Sequence, residues 1–335
     1  MKSMADLLEQ KGHHVVDYLM FCVNDTTYRS KSAVKKYIIN VREALAAGKK
    51  VVFISWEHHK YLDFEGTNFL GFQKILGPYY DTNRWAVCVP TFGDNQYGER
   101  QFCNLDFLVM MCGFNTDYST NLLDHSNKKK DFLYLNGKPH QHRIKLFDLL
   151  IEHNLLENSL WSNASLTHSW GPRTKKLDEE YEIPEWRGLL VDAYDSSTRR
   201  VYAPQYNATT CSIVPETLID DNCHYITEKT LKPILAEHIF VVLAGSGYLR
   251  NLRTFGFKTF REHFDESYDE CQDLDKRMLM IVDTLKQIKQ MDTVQLYSAT
   301  SDIRRHNREL LLSSKLYDDF NRSEYTKIEQ YFNAK

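Results

Sequence analysis

CSIVPETLIDDNCHYITEKTLKPILAEHIFVVLAGSG, residues 211–247, is the stretch from which the fold is read. A β-branched apolar run ends at Pro215-Glu216, and a polar loop follows. TEKTLKPILAEH reads as a helix, IFVVLAG as a buried strand, and GSG as a glycine turn. Strand, helix and strand at this spacing form a parallel unit, in which the crossover helix covers one face of the sheet. Glu216 lies just past a strand end, where open α/β sheets bind ligands. Thr227 is placed as an N-cap, which puts Glu228 and Lys229 in the first helical turn. A helix N-terminus offers N–H groups and positive dipole suited to a diphosphate, and Lys229 adds a mobile positive charge. Glu228 is suited to accept hydrogen bonds from two vicinal hydroxyls. A capped helix with solvated charges fits the same residues. Pro233 sits early enough to be tolerated, or to kink the helix.

Working outward, the alternation continues. YLRNLRTF reads as a helix and GFKTF as a strand; Leu274, Met278, Ile281, Leu285 and Ile288 make a helical stripe, and a last helix runs through Ile303 and Leu310. Upstream, DFLYLNG is a strand and HRIKLFDLLIEH a helix. SLTHSWGPRTKKLDEEYEIPEW breaks the rhythm as a polar surface insert. The charged stretch LDHSNKKKD marks a boundary. Before it, Val15–Val23 is a strand. Val34, Ile38, Val41 and Leu45 share a helix face ending at Gly48; KKVVFISW is a second strand, Thr67–Leu76 a short helix and RWAVCVP a third strand. The expected fold class is therefore α/β, with two Rossmann-like domains on parallel sheets. Residues 1–128 form the first and 129–300 the second, with C-terminal helices over 301–335 packing back across the domain interface.

Glu216, the run Tyr225-Ile226-Thr227-Glu228-Lys229, and Ile239 to Gly245 together resemble the donor-binding signature of fucosyltransferase-like glycosyltransferases of GT-B architecture. FLYLNGKPHQHRIKLFDLL resembles the opening of that family's donor domain, and GSGYLRNLRTFGFKTFREHFDESYD resembles the tail of its phage and bacterial members. The resemblance spans about residues 131–290. It implies a nucleotide-sugar donor, a UDP- or GDP-sugar, with Glu228 on the ribose and Lys229 on the phosphates. Arg143 is carried over as a phosphate ligand, with Lys138 as second choice; Glu216, Tyr225, Thr227 and Gly245 complete the donor site. It also implies inverting chemistry in which basic side chains and a helix dipole, not a metal, meet the leaving diphosphate.

The first domain carries little of this resemblance. Its candidate site is SWEHHKYLDFEG, just after the strand KVVFIS. Glu57 there is the candidate general base toward an acceptor hydroxyl, with His58 behind it; a polar loop cap is the alternative. Two acceptors remain open. One is a glycan. The other is 5-hydroxymethylcytosine in phage DNA, which would be flipped out of the duplex and held by basic clusters such as KSAVKK, SNKKK and PRTKK. An inactive nucleotide-sugar or nucleic-acid binding protein on the same fold is a third reading.

Composition bounds these readings. With 335 residues, two domains of ordinary size are expected. A net charge of −3 neither favours nor excludes a polyanionic partner. Seven cysteines, without a CxxC pair and mostly in apolar surroundings, read as reduced core thiols. No signal-peptide pattern and no apolar run of membrane-spanning length occurs. The expected location is the cytoplasm, the host's for a phage chain. His140-x-His142, His13-His14 and His58-His59 lack a third ligand at metal-site spacing, and there is no DxD motif. No dinucleotide fingerprint follows the first strand, so a Rossmann dehydrogenase is excluded.

Overall fold

The computed structural model describes residues 3–17, 31–55, 71–93, 98–105, 123–126, 128–137, 140–164, 173–176, 201–221 and 223–334. The strands are β1 (His14–Asp17), β2 (Val51–Ile54), β3 (Trp85–Val89), β4 (Thr91–Gly93), β5 (Gln101–Cys103), β6 (Lys130–Leu135), β7 (Leu160–Ala164), β8 (Arg173–Lys176), β9 (Thr209–Pro215), β10 (Cys223–Tyr225) and β11 (Ile239–Leu243). The α-helices are α1 (Met4–Gln10), α2 (Lys31–Ala46), α3 (Phe72–Leu76), α4 (Gln141–Glu152), α5 (Ala203–Ala208) and α6 (Glu228–Leu235). They continue as α7 (Tyr248–Thr254), α8 (Leu274–Gln290), α9 (Thr293–Ala299), α10 (Ser301–Leu312) and α11 (Ser314–Asn333). Two compact units result. Unit 1 is residues 1–109 with 314–335, and unit 2 is residues 110–313. Both are α/β with parallel sheets.

In unit 1 the sheet runs β1-β2-β3-β5, all parallel. The runs VVFI and WAVCV are buried throughout because both faces are covered. Val51, Phe53, Trp85, Val87 and Val89 face α2 and α3, with Phe72 stacked on Trp85 at 4.9 Å. The alternate residues Val52, Ile54, Ala86 and Cys88 face Met4 and Leu8 of α1 and Ile328 and Phe332 of α11. A period of two thus divides one strand between two cores. Gly48, with φ +81°, takes the left-handed position after α2. α11 also finishes the sheet edge, where Glu324 Oε2 accepts the Cys103 amide at 2.9 Å. The C-terminal helices expected over 301–335 are α10, which carries Ile303 and Leu310, and α11, which belongs to unit 1.

In unit 2 the order is β11-β9-β6-β7-β8, parallel except for β8. β8 lies within the polar insert and pairs antiparallel with β7, so part of that insert is edge strand rather than loop. GFKTF is not a strand. Its backbone groups bond to side chains instead of a ladder: the Lys258 amide donates to Asn307 Oδ1 at 2.7 Å, and the Phe260 amide to Glu266 Oε1 at 2.7 Å. The stripe on α8 is buried through Met278, Ile281, Leu285 and Ile288.

Arg277 of α8 is 1% exposed and donates to the carbonyls of Cys271 (2.6 Å), Ala244 (2.5 Å) and Gln272 (3.2 Å), and to Asp221 Oδ1 (2.7 Å). It ties the end of β11 to the loop that follows β9. A buried guanidinium is tolerable only when its donors are answered in this way.

Candidate functional site

Strand order locates the crevice of unit 2. From β6 the chain moves outward to β7, while from β9 it moves the other way to β11. Neighbouring strands whose connections diverge leave a gap at their C-terminal ends, where open α/β sheets hold ligands. Glu216 and Thr217 follow β9 at this gap, and the start of α4 follows β6.

Glu216 is fully buried, and its carboxylate is surrounded by donors. Oε2 accepts from Thr227 Oγ1 (2.6 Å) and the Thr217 amide (3.2 Å). Oε1 accepts from Thr230 Oγ1 (2.7 Å), the Thr227 amide (3.2 Å) and the Tyr248 hydroxyl (3.2 Å). Charge-assisted hydrogen bonds of this number make a buried carboxylate tenable. Burial and the adjacent Glu216 charge push the Tyr248 hydroxyl well above its ordinary pKa, so it stays a donor. Glu216 therefore supports the N-terminus of α6. His142 approaches from the other side, its Nε2–H donating to the Glu216 carbonyl at 3.0 Å. Burial, with Arg143, His140 and Lys229 nearby, holds this imidazole down at about 4, so it is neutral at pH 7.

Thr227 caps α6 as expected, accepting the Lys229 amide at 3.2 Å. Pro233 sits inside α6, which continues to Leu235. Two cations converge beside the cap. Arg143, 1% exposed, donates from Nη2 to Thr217 Oγ1 at 3.3 Å, and Lys229 Nζ reaches the same oxygen at 3.2 Å. Lys229 also pairs with Glu228 Oε1 at 2.7 Å. Burial pushes the Glu228 carboxyl up, but Lys229 and Lys232 outweigh it and hold it at about 2. Thr217 had no signal in the sequence beyond its place after Glu216, yet its hydroxyl joins the two cations.

Other expected site residues have different surroundings. Gly245 is buried, and a Cβ there would meet the Asp220 carbonyl oxygen at 2.0 Å, so the residue allows a close backbone approach. GSG is a turn, with Gly247 at φ +81°. The start of α7 is occupied by Asp269, whose carboxylate accepts the amides of Leu249 (2.7 Å) and Arg250 (2.9 Å). Tyr225 is buried on β10. Lys138, Glu57 and His58 lie outside the described residues.

No family model matches the chain, and no curated protein matches it significantly.

Among the described residues no three His, Cys, Asp or Glu side chains gather as a metal site. His140 and His142 instead stack at 5.8 Å. Nor is any described helix long and apolar enough to cross a membrane. The described cysteines are free thiols. Chemically, the gap between β6 and β9 brings together two cations, Arg143 buried and Lys229 partly exposed, a capped helix start and one partly exposed carboxylate.

Proposed function

We propose that unit 2 binds a nucleotide-sugar donor and that the chain is a glycosyltransferase of GT-B type. The observation that carries this reading is the meeting of Arg143 and Lys229 on the Thr217 hydroxyl, beside the first turn of α6 and at the divergence of β6 and β9. A guanidinium, an ammonium and a helix N-terminus together suit a diphosphate, and they would stabilise it as it departs. The donor is a UDP- or GDP-sugar, and Glu228 is the ribose ligand. Glu57, with His58 behind it, is the proposed base, and inversion at the sugar carbon follows from direct displacement. With its leaving-group charge met by side chains, transfer is expected to survive EDTA.

The acceptor is proposed to be a glycan hydroxyl, with hydroxymethylated DNA as the second reading, and the cytoplasm as the place of action. Thermal-shift titration of the purified protein with UDP, GDP, CMP and their sugars tests the donor reading. A saturable rise with one nucleotide, absent in Glu228→Ala and Lys229→Ala, is the expected result; no rise with any of them overturns it. Transfer from that donor is then assayed on glycans and on hydroxymethylated DNA. Saturable binding with no transfer to either acceptor would favour the inactive binding protein.

A further inference from the structure

The charged groups at the start of α6 satisfy one another. Lys229 Nζ directs its hydrogens to Glu228 Oε1 at 2.7 Å, Thr217 Oγ1 at 3.2 Å and Thr227 Oγ1 at 3.4 Å. An ammonium has three donors, and all three are engaged. An anion entering here therefore meets a cation already neutralised, and it must turn the Glu228 carboxylate away. Both side chains are reachable, at 30% exposure for Glu228 and 22% for Lys229. Once turned away, Glu228 is a charged acceptor that has lost its close ion pair, and it stays in a partly desolvated place unless donors are supplied.

We propose that Glu228 sets the ligand class of this site by standing in for the ligand's anion on Lys229. Entry is then favoured for a molecule carrying both a diphosphate and a diol, and disfavoured for inorganic phosphate or pyrophosphate. A nucleoside diphosphate fits. Its phosphates replace the carboxylate on Lys229, and its ribose hydroxyls replace the ammonium on Glu228. Residues 228 and 229 are adjacent in one helical turn, so the two replacements occur side by side, as the two groups do in a 5′-diphosphate. A bare phosphate makes the first exchange and leaves the second unanswered. Arg143 is not part of this filter: it approaches Thr217 from α4. This inference rests on the anion-site reading given above.

Isothermal titration at fixed ionic strength tests it, using pyrophosphate, UDP and GDP against the wild type, Glu228→Gln, Glu228→Ala and Lys229→Met. Thermal unfolding verifies that each variant is folded. The expected result is a wild type that prefers one nucleoside diphosphate over pyrophosphate. In both Glu228 variants pyrophosphate gains about three- to tenfold in affinity while the nucleotide weakens, so the preference collapses. Unchanged or weaker pyrophosphate binding in the Glu228 variants, with nucleotide binding intact in the wild type, overturns the filter alone. Absence of nucleotide and pyrophosphate binding in the wild type overturns the anion-site reading itself, and the filter with it.

Discussion

Thr227 Oγ1 lies 2.6 Å from Glu216 Oε2. Through that hydrogen bond, a carboxylate closed to solvent fixes the first turn of the helix whose next two residues, Glu228 and Lys229, face solvent in part. Glu216→Ala is expected to leave the Thr227 and Thr230 hydroxyls and the Thr217 and Thr227 amides without their common acceptor, while the Tyr248 hydroxyl keeps Thr230 Oγ1 at 2.9 Å. A loss of about 3 kcal/mol or more follows from several buried donors left unpaired. Glu216→Gln, which keeps one acceptor oxygen, should lose less. Urea unfolding of the two variants measures the difference, and equal stability of Glu216→Ala and wild type would contradict the supporting role.

Gly245→Ala places a methyl group 2.0 Å from the Asp220 carbonyl oxygen, a backbone atom that no rotamer change can move aside. Overpacking against backbone is expected to cost about 3 kcal/mol or more. The measurement is the chemical-denaturation midpoint. A folded Gly245→Ala of wild-type stability would show that the loop from Thr217 to Asp221 yields more easily than its hydrogen bonds imply.

Arg277→Met removes the donor that serves three carbonyls and Asp221. Methionine fills much of the volume, so the expected loss of about 2–4 kcal/mol comes from acceptors left buried without a partner. Unfolding monitored by fluorescence checks it. Asp221→Asn should cost less, since its side chain is partly exposed and its oxygen can still accept the Ser246 amide.

Acid stability carries a signature of His142. Its folded pKa, about 4, lies below the ordinary value of 6.5. Between those values the unfolded chain binds the proton and the folded chain does not. Its contribution is therefore fully present above pH 6.5 and is lost as pH falls through 4. The wild type should lose roughly 3 kcal/mol over that window from this residue. His142→Gln, which keeps an N–H donor without titrating, should show a flatter profile. Parallel stability-against-pH curves for the two proteins would refute the assignment.

The legible parts of this chain were those written in continuous apolar runs. VVFI, WAVCV and IFVVL are buried on both faces, so their composition alone marks them as interior parallel strands. Thr227 was legible because an N-cap is a local matter of one hydroxyl and one amide. GFKTF was misread for the opposite reason. Its Phe257 and Phe260 are buried like strand residues, but its polar backbone is answered by Asn307 and Glu266, 49 and 6 residues away from their partners. No local pattern records such an answer. β8, with the sequence RTKK, has the composition of a surface loop because an edge strand needs little apolar side chain.

Nor did the residues of the site declare which face they serve. Glu216 and Glu228 are both glutamates beside one helix start, and only tertiary contacts separate the buried support from the exposed charge. GSG is the turn its glycines imply, but the start of α7 just beyond it is filled by the Asp269 carboxylate, which lies 20 residues on from Leu249 and has no local signal.

The return of α11 to unit 1 has a consequence for synthesis. Residues 110–313 are contiguous, so unit 2 has its whole described core as soon as that stretch leaves the ribosome. Unit 1 does not. One face of its sheet has only Met4 and Leu8 of α1 as cover until Ile328 and Phe332 emerge, some two hundred residues after β5. Unit 1 is begun before unit 2 and finished after it. A chain released at Ser313 should present Val52, Ile54, Ala86 and Cys88 as a sticky surface, and arrested nascent chains of increasing length should become protease-resistant in unit 2 before unit 1.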